Sequence, residues 1–486
     1  MIDERSLLPI GAEKTFAEAE KLWKSPDARS EIRRLFEQEY RSFDSCVVAL
    51  DDDPTGVQTV HDIDVVTAWE EPLLEEMLAP KKRLFFVLTN SRSFSSERTQ
   101  RVHEEIAAGL SLASRRTGRP VLLVSRSDST LRGHFPLETE TLRRVMQENG
   151  HPPFAGEVLC PFFREGGRFT LNGVHYVQEG EWLVPAARTE FAADRTFGYH
   201  HSRIADYIEE KTGGRTSAEQ VIEVTLRELR GLCWQEMEQK LMRAEGFRYI
   251  VADALEEADV QALAIVLMRL MKRGFPYIFR SAAAVPKVWG HVQDRPLLGR
   301  EEMLERSAEG GGLVVVGSHV RKSTEQLECL AASGLPLEMI EFRVDGWQLE
   351  ETLEQESLRV RTRAEQAMAA GRTAVVYTSR ELVAPEGATP EEMLRISVRI
   401  ADAVTRIVQE LSFRPRFLIA KGGITSSEIG VKALGVRRAL VAGQAAPGIP
   451  VWKTGPESRF PGLSYIIFPG NVGSRETLRD IVQKLV

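Results

Sequence analysis

The sequence predicts an α/β protein of two domains, each built on a largely parallel sheet. The length of 486 residues suits two domains. Short apolar runs, too short for helices and each closed by a polar or glycine cluster, recur along the chain. Stretches of helical spacing such as Glu97 to Ser114 separate them. In the first half the runs are Cys46 to Leu50, Arg83 to Leu88, Val121 to Val124 and Tyr249 to Ala252. In the second half they are Leu313 to Val316, Ala374 to Tyr377, Phe417 to Ala420 and Tyr465 to Phe468. Residues 1–44 are charge-rich with helical spacing and read as an N-terminal helical extension. The first domain then spans 45–285, a connector marked by Pro286, Pro296 and Gly310 to Gly312 covers 286–310, and the second domain covers 311–486. No internal repeat or low-complexity segment interrupts this plan.

Composition narrows the partners. A hydrophobic fraction of 43% and an aromatic fraction of 7% are those of a globular chain with a full core. The net charge of -7 argues against a nucleic-acid binder, which would show a basic face. It leaves room for a local basic pocket. The cysteines, Cys46, Cys160, Cys233 and Cys329, are far apart and lack metal-ligand spacing, as expected of a reduced cytoplasmic protein. The first residues carry charge from Asp3 and lack a signal-type apolar core, and no apolar run is long enough to cross a bilayer, so no membrane partner is expected. A homodimer is the ordinary expectation for oligomeric state.

In an open α/β sheet, ligands bind beyond the carboxyl ends of the strands. Three segments of the first domain should converge there. The first is Asp51-Asp52-Asp53-Pro54-Thr55-Gly56, where adjacent carboxylates repel unless cations or donors neutralise them. Asp51 or Asp52 suits a hydroxyl-orienting group or general base, and Thr55-Gly56 could open a helix whose N–H groups face an anion. The second is Thr89 to Ser93, with Ser91 and Arg92. The third is Ser125-Arg126-Ser127-Asp128-Ser129-Thr130-Leu131-Arg132-Gly133. The fork of Arg132, with Arg126 or Arg92, matches a carboxylate, and Asp128 could hold hydroxyls. Ser127 to Thr130 could equally cap a helix. The loop Pro161 to Arg168 reads either as a lid or as an ordinary turn.

The second domain carries glycine junctions: Gly317-Ser318, the loop Lys421-Gly422-Gly423-Ile424-Thr425, and Pro469-Gly470-Asn471. Glycine lets backbone approach a phosphate closely, and three such junctions in one domain point to phosphate binding. No Walker-type loop, Rossmann fingerprint, zinc motif or nucleophile elbow occurs.

On these residues the chain resembles the four-carbon acid sugar kinase family, which includes D-threonate, D-erythronate and 3-oxo-tetronate kinases. The marks are Asp52 to Gly56, Asp128 to Gly133, Gly167-Arg168 with Gly173 to Tyr176, and Thr189 with Asp194 to Tyr199. Gly317-Ser318, Gly422-Gly423 with Thr425, and Gly470-Asn471 complete them. The family's first motif, Asp-Asp-Leu-Thr-Gly-Ala, is altered here. The lysines usual before Asp128 are Ser125, Arg126 and Ser127, and the last loop departs at Phe468, Pro469 and Val472.

The resemblance implies a sugar-acid-binding first domain, an ATP-binding second domain and an active site in the interdomain cleft. It carries the sugar-acid role onto Asp52, Asp128 and Arg132, and the nucleotide role onto Ser318, Gly422, Gly423, Thr425 and Gly470, with Ile424 and Asn471 in the same loops. Asp51, Thr55, Gly56, Ser91, Arg92, Arg126 and Gly133 complete the expected substrate site. Asp52 and Asp128 are the catalytic candidates, and Mg²⁺ is expected on the ATP phosphates. A kinase for another hydroxy acid or polyol, or a non-catalytic sensor of sugar acid and nucleotide, are the alternatives.

Overall fold

The computed structural model describes residues 7–80, 82–242, 246–305, 309–344, 350–380 and 390–486. They group into two compact units. One holds the chain up to Asp52 together with Trp69–Gln293, and the other holds Asp53–Ala68 together with Asp294–Val486.

The first unit is centred on a parallel sheet of β2 (Cys46–Asp51), β4 (Leu84–Leu88), β5 (Val121–Arg126), β6 (Gly156–Cys160), β10 (Ile222–Val224), β11 (Arg248–Ala252) and β12 (Tyr277–Ser281), in the order β10-β11-β6-β12-β5-β2-β4. β2, β4, β5, β6 and β12 are buried along their whole length, which is why they read as continuous apolar runs rather than alternating ones. Helices connect the strands. Ser96–Thr117 is a clear case: the Ser95 side chain accepts from the Arg98 N–H at its start, and Gly118, at φ 68°, ends it in the left-handed region. A small antiparallel sheet joins β1 (Ile10–Gly11), β7 (Arg168–Leu171), β8 (Val174–Glu179) and β9 (Trp182–Pro185). The N-terminal segment thus supplies an edge strand as well as the helices Ala12–Glu20 and Ala28–Tyr40. It is tied down by Tyr40, whose hydroxyl donates to the Trp289 carbonyl at 2.9 Å, and by the Arg29–Glu256 pair at 2.7 Å.

The second unit has one mixed sheet. Strands β13 (Leu313–Val316), β14 (Leu337–Phe342), β15 (Thr373–Thr378), β16 (Leu418–Lys421) and β19 (Ser464–Phe468) form its parallel part, in the order β19-β16-β13-β15-β14. The antiparallel strands β18 (Ile449–Thr454), β17 (Arg438–Ala446) and β3 (Ile63–Val66) follow outward from β19. The pairing of β3 with β17 is what assigns Asp53–Ala68 to this unit. Its core joins Val314, Val316, Phe417, Ile419, Ile466 and Phe468 to the helix Thr477–Leu485.

Two local expectations fail. No helix opens at Thr55-Gly56, because Asp53 Oδ1 accepts from both the N–H (2.9 Å) and the hydroxyl (2.6 Å) of Thr55 and folds the segment into a turn. Nor does a helix start at Ser127 to Thr130. Leu131, at φ 69°, and Gly133, at φ 117°, leave the helical region, and the helix begins only at Leu137.

Candidate functional site

Strand β2 is the first strand of its parallel sheet. The chain sets β4 on one side of it and β5 on the other, so strand order reverses around β2. This is the position at which an open α/β sheet offers a ligand crevice. Asp51 ends β2 and pairs in register with Arg126, which ends β5. Thr89 closes the third side, donating its N–H to the Asp51 carbonyl at 2.9 Å.

The three expected segments converge at this edge. Arg92 forks onto Asp52, with Nη2 to Oδ1 at 2.5 Å and Nε to Oδ2 at 3.1 Å, and its Nη1 lies 3.8 Å from Asp128 Oδ1. Arg126 pairs with Asp51 at 3.4 Å. Arg132 forks onto Asp128 at 2.9 and 3.2 Å, reaches Asp194 at 3.5 Å and lies over the Phe191 ring. Thr130 donates its hydroxyl to Asp128. Ser91 donates to Glu138 Oε1 at 2.6 Å. Gly133 is needed where it stands: besides its positive φ, a Cβ there would sit 3.1 Å from Arg280 Nη2 and 3.4 Å from Asp52 Oδ2. Thr55 and Gly56 group with the second unit.

Burial separates the two catalytic candidates. It raises the Asp52 carboxyl above the ordinary aspartate range, against the opposing pull of Arg92. Burial would also raise Asp128, but the guanidinium groups of Arg92 and Arg132 together with the Thr130 hydroxyl outweigh it and hold this carboxyl well below its usual range.

Sequence reasoning missed Glu138 and Arg280. Arg280 Nη1 donates to Glu138 Oε2 at 3.0 Å and to Ser127 Oγ at 2.6 Å. Despite burial, His103 and Arg280 keep Glu138 at about 2. One lies on an amphipathic helix and the other inside an apolar strand, so only the fold brings them to the edge. Asp194 and Arg168 lie in quoted motifs without an assigned role. The loop before Arg168 is a closed turn, with Phe163 and Arg168 exchanging backbone hydrogen bonds at 3.1 and 2.9 Å.

The glycine junctions of the second unit also meet. The Gly317 N–H donates to the Lys421 carbonyl, and that of Gly422 donates to the Phe468 carbonyl at 2.8 Å, tying the ends of β13, β16 and β19 together. A Cβ on Gly317 would collide with Thr425 Oγ1, and one on Gly470 would sit 2.7 Å from Ser318 Oγ. Ser323 links the first and last loops, donating to the Gly470 carbonyl at 2.9 Å and to Ser318 Oγ at 3.0 Å. Ile424 is 62% exposed, an unusual state for isoleucine, and Asn471 is exposed as well. Asp53 Oδ2 lies 3.1 Å from where a Cβ on Gly423 would be.

A charged strand edge at a switch point in one α/β unit and converging glycine loops in another define a class of two-part, small-molecule-binding proteins. Comparison with known proteins agrees. Residues 47–288 match the family model of a sugar-binding N-terminal domain, and residues 313–478 that of a nucleotide-binding C-terminal domain. The chain belongs to the four-carbon acid sugar kinase family. It is 27% identical over 371 residues to a D-threonate kinase of Bordetella bronchiseptica, covering 75% of this chain and 78% of the relative. Two solved structures share the fold. A Salmonella typhimurium LT2 protein, provisionally described as a tRNA synthase, superposes with a TM-score of 0.64 at 15% identity, over 89% of this chain and 97% of its own. A Haemophilus influenzae protein gives 0.59 at 16%, over 90% and 99%. Among the described residues no helix is long and apolar enough to cross a membrane.

Proposed function

We propose that the protein is an ATP-dependent kinase that phosphorylates a hydroxyl of a four-carbon sugar acid such as threonate, erythronate or an oxo-tetronate. The observation that carries this reading is the carboxylate–arginine edge around β2, in a chain whose two halves match sugar-binding and nucleotide-binding domains.

Arginines and aspartates alternate across that edge, so an incoming carboxylate finds guanidinium groups already aligned and its hydroxyls find acceptors already ionised. Arg132, with Arg92 and Arg126, takes the acid group of the substrate. Asp128, held ionised by its two arginines, orients the hydroxyls. Asp52, raised by burial toward the range in which it accepts a proton, is the base for the attacking hydroxyl. Asp51, Ser91 and Gly133 shape the site around them.

In the second unit Ser318, the Gly422 to Thr425 loop, Gly470 and Asn471 hold ATP. Thr55 and Gly56 stand with that unit, and Asp53 is the carboxylate that fits Mg²⁺ on the ATP phosphates, since this ion keeps most of its waters and uses one or two protein carboxylates. The ion would neutralise phosphate charge during transfer.

A coupled ADP-release assay over a panel of four-carbon sugar acids tests the reading. Turnover with at least one acid is expected. Folded protein that turns over none of them would refute it.

A further inference from the structure

Two cations of the second unit, Lys421 and Arg380, are held by carbonyls and a hydroxyl rather than by carboxylates. Lys421 ends β16 and is fully buried. Its ammonium donates to the carbonyls of Pro469 (3.1 Å) and Gly470 (3.4 Å) and lies 3.8 Å from the centre of the Phe468 ring. Arg380 follows β15. Its Nη2 donates to the Ser318 carbonyl at 2.7 Å and to Thr324 Oγ1 at 2.8 Å, while its Nη1 is buried without a hydrogen-bond partner. Among the described residues neither cation pairs with a carboxylate. The two attach to opposite sides of one junction, where Ser318 and Gly470 come together.

A buried cation without a counter-charge costs folding free energy, and a buried donor left unpaired adds to that cost. Both are reasonable in a site completed by an anion. The charge on the surrounding elements agrees. Lys322, on the helix Arg321–Ala331, is the charged group that acts on Lys421, and it is positive too. The neighbouring strands set Val316 and Phe468 in register with Lys421. Burial first, and then Lys322, lowers the Lys421 ammonium to about 7. His319, held below the ordinary histidine range by burial first and then by Arg380, adds no negative charge.

We propose that Arg380 and Lys421 form the seat of the phosphate chain in the second unit, Arg380 through its free Nη1 edge and Lys421 as the buried charge beneath the Gly470 loop. This rests on the nucleotide-binding reading of that unit. It adds Arg380, which lies outside the glycine motifs, gives Lys421 at the head of the Gly422 loop a role, and adds a proton. Phosphate beside Lys421 raises its proton affinity, so nucleotide binding just above neutrality takes up a proton.

Calorimetry of AMP, ADP and ATP binding to wild type, Arg380→Gln and Lys421→Met tests the proposal. Each variant is expected to lose about 10- to 100-fold in ATP affinity, the range for a hydrogen bond to a charged group. The loss should shrink from ATP to ADP to AMP. Proton uptake, read by repeating the titration in buffers of different ionisation enthalpy, should vanish in Lys421→Met and persist in Arg380→Gln. Unchanged affinities in both variants overturn the proposal. So does an equal loss for all three nucleotides, which would mark both residues as merely structural. Wild-type protein that binds no nucleotide would instead overturn the underlying function.

Discussion

At the scale of single residues, the first unit separates two aspartates that look alike in sequence. Asp52 is buried and Asp128 half-buried, and both are gripped by arginine, yet Asp128 has Arg92, Arg132 and Thr130 on it. Asp52 is the one left with a raised proton affinity. Asp52→Asn should therefore lower kcat by about 100-fold or more, the contribution of a positioned base. Asp128→Asn should chiefly raise KM, because it loses hydroxyl contacts and frees two arginines. Steady-state kinetics distinguish these outcomes, and equal effects of both variants on kcat alone would contradict the assignment. Activity should also fall as the medium is acidified through the Asp52 range, since protonation removes the base.

Glu157, on β6, gives a residue-scale prediction about stability. Neither of its oxygens has a hydrogen-bond partner, and burial raises its carboxyl to about 8. The folded state thus keeps the proton while the unfolded chain loses it near 4.5. The stability from this group is present below about 4.5 and is lost as pH rises through about 8. Glu157→Gln removes the dependence. Denaturant melts should find the variant more stable than wild type by about 1–3 kcal/mol at pH above that range, with the gap closing in acid. A gap independent of pH would contradict the protonated state.

At the scale of elements, the glycine junctions act by close approach. Gly317 sits so near Thr425 that Gly317→Ala must push β13 and the Gly422 loop apart. Nucleotide affinity should fall by about tenfold or more, with stability lower by about 1–3 kcal/mol, as for overpacking. Titration calorimetry and thermal melts read both, and unchanged nucleotide affinity would separate this junction from the binding loops.

The same scale shows what was legible beforehand. β2, β4, β5, β13 and β16 are short β-branched or leucine-rich runs bounded by polar residues, so their type and their site-facing ends could be read directly. β17 could not: Arg438–Ala446 is rich in alanine and glycine, poor strand formers, and is held by its partners β3 and β18. β14 is a half-exposed edge strand with a weak apolar signal. In the site, Asp52, Asp128 and the arginines lie in dense polar clusters at strand ends and stand out. Glu138 and Arg280 stand among ordinary helix and strand residues, and their chemistry comes from what the fold brings near.

At the scale of the whole molecule, the proposed function divides sugar acid and nucleotide between the two units. The two ligands should bind separably. Gly317→Ala should leave threonate binding within about twofold of wild type, because nothing in the first unit's edge is touched. Differential scanning fluorimetry with each ligand alone reads this, and loss of threonate binding in that variant would contradict the division.

The proposed reaction is a transfer, and its product can be weighed. Folded protein incubated with ATP, Mg²⁺ and each four-carbon sugar acid should yield, for at least one acid, a species heavier by one phosphoryl group in the mass spectrum, and Asp52→Asn should yield little or none. Protein that binds both an acid and ATP yet leaves every acid at its original mass would contradict the account.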